Sequence, residues 1–247
     1  MARGKDKKQQ TPAAGWERVR RDAVIGLRWA GIALGVFFAV TVLWVGVYRF
    51  VNPPTTFLIA ATSFSDAKIR HRNVPIEAVA PALWQSIVAA EDQRFCEHSG
   101  FDVKQINKAI EEAQDGGRQR GASTVSQQTA KNAFLWPGRN YLRKGLEAYF
   151  TFLLETLWPK RRIMEVYLNI VEFGPGIFGA EAASERYFSK PARDLNSHEA
   201  ALLAAVLPNP HRLHVQAPGP YVQERAVNIA ALARVLHNQG FARCVLH

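Results

Sequence analysis

The pattern of apolar and polar positions divides the chain near residue 50. From Trp29 to Tyr48 it runs WAGIALGVFFAVTVLWVGVY, twenty residues without a charge. As a helix rising about 1.5 Å per residue, such a run is roughly 30 Å long, the thickness of a bilayer's hydrocarbon core. Trp29, Trp44 and Tyr48 lie toward its ends, where amphipathic rings favour the membrane interface. A buried core helix and a cleaved signal peptide are the competing readings. Length argues against the first, and the second lacks a small-residue cleavage site. Asn52-Pro53-Pro54 ends the helix, since proline neither donates nor continues the ladder. The expected organisation is a basic tail over 1–28, a transmembrane helix over 29–51, a juxtamembrane linker over 52–73 and a folded domain over 74–247. Within the tail, Lys5 to Pro12 reads as disordered.

Beyond the linker, helical periodicity dominates and few alternating patterns compete. Leu83, Ile87 and Val88 form an apolar stripe that carries a helix toward Glu91. Asp102 with Gln105 resembles a capping box ahead of Val103, Ile106 and Ile110, and Thr124 with Gln127 caps another helix. The glycine-rich stretch Gln114 to Gly121 reads as a mobile loop. Leu142, Leu146, Tyr149, Phe150, Leu153 and Leu157 trace one face of a long helix. Ile163, Val166, Tyr167 and Ile170 mark the next. Asn196 with Glu199 caps an alanine- and leucine-rich helix ending before Pro208, and Val222 to Gln239 is the last, with Gly240 at its C-cap. The fold class expected is mainly α.

Charge changes the picture. The chain of 247 residues carries +10, from 31 Lys and Arg against 21 Asp and Glu. Eight of the basic residues and three of the acidic ones fall within 1–28. By the positive-inside rule that segment stays cytoplasmic and the larger part lies across the membrane. A basic domain outside the cytoplasm has little nucleic acid to meet, so the anionic partner expected is lipid or a phosphorylated substrate. Hydrophobic residues at 48% exclude wholesale disorder. Two cysteines, Cys96 and Cys244, exclude a disulfide scaffold and a multi-cysteine zinc site. They could form one bond, and free thiols are the favoured expectation.

Three polar constellations interrupt the helical pattern. Glu91-Asp92 ends an apolar helix, and a carboxylate beside apolar surface has a raised pKa and can act as a general base. The bland alternative is a solvated helix end. Gly121 to Asn132 reads GASTVSQQTAKN and places Ser123, Thr124 and free backbone N–H groups at a helix N-terminus, with Gln128 and Lys131 sharing one face. The alternative is plain capping. Arg139, Arg143, Lys144 and Glu147 lie opposite the apolar face of their helix, and alone they read as an exposed ion-pair ladder.

Taken together, EDQRFCEHSG (91–100), GASTVSQQTAKN (121–132), RKGLE (143–147), KRRIMEVYLNIVEFG (160–174) and GIFGAEAASERYF (176–188) resemble, in order, the five motifs of the peptidoglycan glycosyltransferases. The resemblance covers about Val74 to Pro210. It implies a lysozyme-like, two-lobed glycosyltransferase domain behind one N-terminal transmembrane helix, in a cell inner membrane with the catalytic part periplasmic. It implies polymerisation of lipid II into β-1,4-linked glycan with inversion and release of undecaprenyl pyrophosphate. Glu91 matches the family's catalytic base, and Glu147 its second catalytic glutamate, expected to position the donor's phosphates and the basic side chains. Asp92, Ser123, Gln128, Lys131, Arg139, Arg143 and Lys144 match substrate-binding positions. No cofactor is required, and a divalent metal ion, Mg or Mn, beside the pyrophosphate is left open. The partners implied are lipid II, the growing glycan, the membrane and cell-wall synthesis or division proteins. Lys160, Glu165, Tyr167 and Asn169 are expected to be structural, as is His98, and Arg186 stays outside the core site.

Three rivals remain. A glycan-cleaving muramidase or lytic transglycosylase would share the fold and the glutamate, but does not need cations at a leaving group. A bifunctional penicillin-binding protein is suggested only by Ser65-Asp-Ala-Lys68, which has no later K-T-G to complete it. A non-catalytic membrane-anchored scaffold would need no base at position 91.

Overall fold

The computed structural model describes residues 12–64, 68–114, 123–138 and 140–246. Arg139, Ser65 and most of the glycine-rich stretch, residues 115–121, lie outside them. So does the expected disordered tail, save Pro12. The chain divides into two compact units, Met1–Trp44 and Val45–His247.

The first unit consists of helix α1, Pro12–Tyr48, up to Trp44. Its stretch Val19–Tyr48 is long and apolar enough to cross a membrane. Leu27, Trp29, Ile32 and Leu34 are exposed, as side chains suited to lipid rather than to a protein core would be.

The second unit begins with the last turn of α1. The Trp158 indole donates to the Val45 carbonyl at 2.8 Å, and Arg162 donates to the Tyr48 carbonyl and to Asn52. A short helix follows, α2 (Phe57–Thr62), capped by Thr56. The main helices are α3 (Pro81–Glu91), α4 (Val103–Gln114), α5 (Val125–Phe134), α6 (Tyr141–Leu157), α7 (Lys160–Ile170), α8 (Ala180–Phe188), α9 (Ser197–Val206) and α10 (Pro220–Gln239). Their starts follow local chemistry. Thr124 and Asn196 each form a full capping box, and Asn140 accepts from the N–H of Arg143. Gly240 closes α10 in the left-handed conformation that a side chain would resist.

These helices pack in two groups. In one, α3 lies against α9 and α10; in the other, α5 lies against α6 and α7. Leu83, Ile87 and Val88 are fully buried on α3, as are Ile163, Val166 and Tyr167 on α7. Burying each large apolar side chain contributes about 1.5–3 kcal/mol. Beside the helices sits a small sheet in the order β1-β3-β2: β1 (Arg70–His71), β2 (Glu172–Gly174) and β3 (Ile177–Phe178). Only glycine fits at 179, where φ is +86° and an added Cβ would stand 2.7 Å from the Asn169 carbonyl oxygen.

Two expectations need correction. The thiols are not free: Cys96 and Cys244 form a disulfide, with Cα atoms 5.7 Å apart across 148 residues of sequence. Packing of α10 against α3 brings the chain's end back to the segment after Glu91, a meeting that local pattern cannot show. Glu147 is also not opposite the buried face of α6. It is buried with Phe150, Thr151 and Leu154, while Leu142 is exposed.

The disulfide closes a long loop, so it restricts the unfolded chain strongly. Replacing both cysteines by serine is expected to lower unfolding stability by about 2–5 kcal/mol. Chemical denaturation of the oxidised protein and the double variant measures the difference.

Candidate active site

The site lies where the two helical groups meet, and residues 91 and 92 make the junction. Glu91 is the last residue of α3, and Asp92 turns the chain outward from it. Asp92 is buried, with both carboxylate oxygens used. One accepts from the Val125 N–H at 3.0 Å, filling an otherwise unpaired donor at the start of α5. The other meets His98 Nε2 at 2.8 Å. His98 Nδ1 accepts from the Gly100 N–H, so its proton sits on Nε2 and is donated to Asp92. Asp92 is therefore a strut between α3 and α5, with no oxygen turned to the pocket.

Glu91 occupies the facing position. Gln128 Nε2 on α5 donates to its Oε2 at 2.9 Å. The Gln128 carbonyl in turn accepts from the hydroxyl of Tyr167, a fully buried side chain on α7. Tyr167 holds its proton firmly, because burial and then the nearby Glu91 and Asp92 charges push its pKa well up. That donor fixes which end of the Gln128 amide faces Glu91. Burial also raises the Glu91 pKa above its ordinary 4.5. The Gln128 hydrogen bond, Arg225 and Lys131 pull it down, and Asp92 pushes it up.

Beside this pair opens a cavity of about 550 Å³, lined by Ser123, Gln128, Lys131, Arg143, Lys144 and Glu147 among others. Ser123 stands one residue before the Thr124 cap, on the wall. Lys131 is one turn beyond Gln128 on α5. Burial lowers its pKa most; Glu147 and Glu91 pull it up, while Arg143 and Lys144 push it down. Lys144 Nζ lies 2.6 Å from Glu147 Oε1, a pair with one exposed and one buried partner. The Arg143 Nε is buried and has no hydrogen-bond partner among the described residues. Three cations and one carboxylate thus face a single concave space, an arrangement that attracts a multiply charged anion.

Sequence pattern missed Arg225. Its Nη2 lies 3.7 Å from Glu91 Oε1, and its Nε is buried without a partner among the described residues. The available signal was a charge amid the buried positions 222, 226, 229 and 233 of α10. The residues of the fourth motif build the frame. Lys160 binds Glu155 and the His98 carbonyl, Glu165 accepts from the Ile76 N–H, and Asn169 exchanges two hydrogen bonds with Val74.

Among the described residues, no group of three or more His, Cys, Asp or Glu side chains gathers as a metal site. Glu147 is the only carboxylate on the described wall of the cavity, and Lys144 already pairs with it. One carboxylate is too few to hold a Mg or Mn ion without further oxygens, such as those of a bound phosphate.

The chain belongs to the transglycosylase family, whose model matches residues 59–234. It is 49% identical over 210 residues to a biosynthetic peptidoglycan transglycosylase of Caulobacter vibrioides, covering 85% of this chain and 92% of that protein. A protein of the same name from Rhodospirillum centenum is 50% identical over 220 residues, 89% of this chain and 95% of the other. For the one from Aeromonas hydrophila, identity is 53% over 190 residues, 75% and 81% of the two chains.

Two variants separate the roles of the neighbouring carboxylates. Asp92→Ala leaves the Val125 N–H and His98 without an acceptor and is expected to cost about 1–3 kcal/mol of stability, read by thermal unfolding. Gln128→Leu removes the hydrogen bond that lowers the Glu91 pKa. The acid limb of the pH–rate profile, if set by that carboxylate, is expected to move to higher pH than in the parent.

Proposed function

We propose that the chain polymerises lipid II into β-1,4-linked glycan strands, releasing undecaprenyl pyrophosphate. The observation that carries this reading is the contact between Glu91 and Gln128, which sets a desolvated carboxylate at the edge of a pocket holding Lys131, Arg143 and Lys144. The acceptor's GlcNAc 4-hydroxyl attacks C1 of the donor MurNAc as Glu91 takes its proton. The C1–O bond to the diphosphate breaks with its electron pair, and attack from the opposite face inverts the α linkage to β. A diphosphate leaves as a weak base, so it needs positive charge more than a proton. Lys131, Arg143 and Lys144 supply that charge, and Arg139 joins them on sequence grounds alone. Glu147 acts by holding the cations together, not as a second base. The reaction so written needs no cofactor.

A raised glutamate pKa would equally suit the acid of a glycan-cleaving enzyme. The cations beside it distinguish the two, because a sugar leaving group has no use for them. We place the chain as a single-pass protein of the inner membrane, N-terminus cytoplasmic and catalytic part periplasmic. The charge of its first 28 residues and the disulfide, a bond that persists outside the cytoplasm, both support this. The partners are lipid II, the growing glycan and the membrane, with recruitment by other cell-wall synthesis or division proteins part of the same reading.

Full-length protein given lipid II in detergent is expected to lengthen it into glycan strands and to leave preformed strands intact. Glu91→Gln keeps the shape and removes the base, with an expected loss of about 10²–10⁴ in rate. Strand shortening without polymerisation, or an undiminished rate in Glu91→Gln, overturns the assignment.

A further inference from the structure

A second cavity, of about 570 Å³, opens beside the small sheet and shares no described lining residue with the first. Four basic residues from separate segments meet on its wall. Lys68 precedes β1, Arg70 begins β1, Arg186 is in the last turn of α8, and His214 lies between α9 and α10. No carboxylate appears among the described residues of that wall. Acidic groups on the neighbouring elements have other partners: Glu181 and Glu185 pair with Arg72, and Glu172 with His211. The positive charge is therefore not neutralised from within the described chain, and a concave wall concentrates its field. The floor includes Ile177 and Val215, both buried and apolar. Arg186 is steadied over the Tyr187 ring at 5.9 Å, and the Tyr187 hydroxyl donates to the Phe173 carbonyl.

The substrate in the proposed reaction carries two kinds of anion. Its diphosphate is matched by Lys131, Arg143 and Lys144. Lipid II is a disaccharide-pentapeptide on its diphosphate lipid, so what remains is the peptide on each MurNAc, which ends in a carboxylate. Guanidinium forks pair with carboxylates through two parallel hydrogen bonds, and an apolar floor beneath them suits a peptide rather than a bare ion. We propose that this second cavity binds the carboxylate-bearing end of the peptide stem on the glycan, an inference that rests on the glycosyltransferase reading. Holding a peptide here gives the strand an attachment point separate from the diphosphate pocket.

The test is a binding measurement on full-length protein in the Glu91→Gln background, where no turnover intervenes. The probes are soluble muramyl pentapeptide, its C-terminal amide and inorganic diphosphate, titrated by calorimetry. A triple variant, Lys68→Ser, Arg70→Ser and Arg186→Ser, changes three exposed side chains. It is expected to weaken pentapeptide binding about tenfold or more, as loss of charge-assisted bonds would, and the amide should bind the parent about as weakly. Lys131→Ala should weaken diphosphate and spare the pentapeptide. Absence of pentapeptide binding to the parent, equal binding in the triple variant, or loss there of diphosphate alone overturns the proposal. Because the readout is binding, it stands apart from the polymerisation assay. Failure to polymerise lipid II with pentapeptide binding intact counts against the reaction, not the site.

Discussion

The structure turns on a desolvated carboxylate at the end of a buried helix. Helix α3 is apolar enough to be driven into the core, and Glu91 is its last residue. Burial at that point penalises the ionised form, which makes the carboxylate a stronger base when it is formed. Without neighbouring donors, burial alone would raise its pKa further. The Gln128 amide, Arg225 and Lys131 return part of the lost solvation. Reactivity and ionisation are thus balanced by three groups on two helices, and their placement matters more than their number.

That placement is set by the neighbouring residue. Asp92 holds the first N–H of α5, and Gln128 lies three residues further along the same helix. Adjacent carboxylates therefore grip α5 at Val125 and Gln128 together. Asp92 Oδ2 fixes the helix start, and Glu91 Oε2 receives its amide. A rotation of α5 that displaced Gln128 would also break the cap at Val125, so the Glu91–Gln128 contact has the stiffness of a structural one. Tyr167, anchored on α7, prevents the amide from turning over.

Much of this was legible in the chain because it is local. Capping boxes at Thr124 and Asn196 and the buried stripe of α3 depend on neighbours three or four residues apart, which a sequence displays directly. The second motif likewise runs onto α5, whose cap at Thr124 is readable from residues three apart. What escaped depends on long-range return of the chain. Arg225 meets Glu91 across 134 residues of sequence, and Cys244 meets Cys96 across 148. Both follow from α10 packing on α3, a choice made by apolar complementarity that leaves no short-range mark. The three strands have only two or three residues each, too few to show an alternating pattern.

Glu147 shows how an apparently ordinary ladder residue changes meaning once its depth is known. An exposed pair with Lys144 would contribute only a few tenths of a kcal/mol. Glu147 is instead buried, so leaving it without a cation would carry a large desolvation cost. It pairs with Lys144 and acts on Lys131, whose own burial works against its charge. The carboxylate thereby offsets repulsion among cations that converge on one space. Removing it would relieve no constraint; it would leave Lys131 facing Arg143 and Lys144 with only Glu91 to favour its charged form. A pocket lined by converging cations thus carries one negative charge of its own, because cations gathered with no ligand between them must be held there by something.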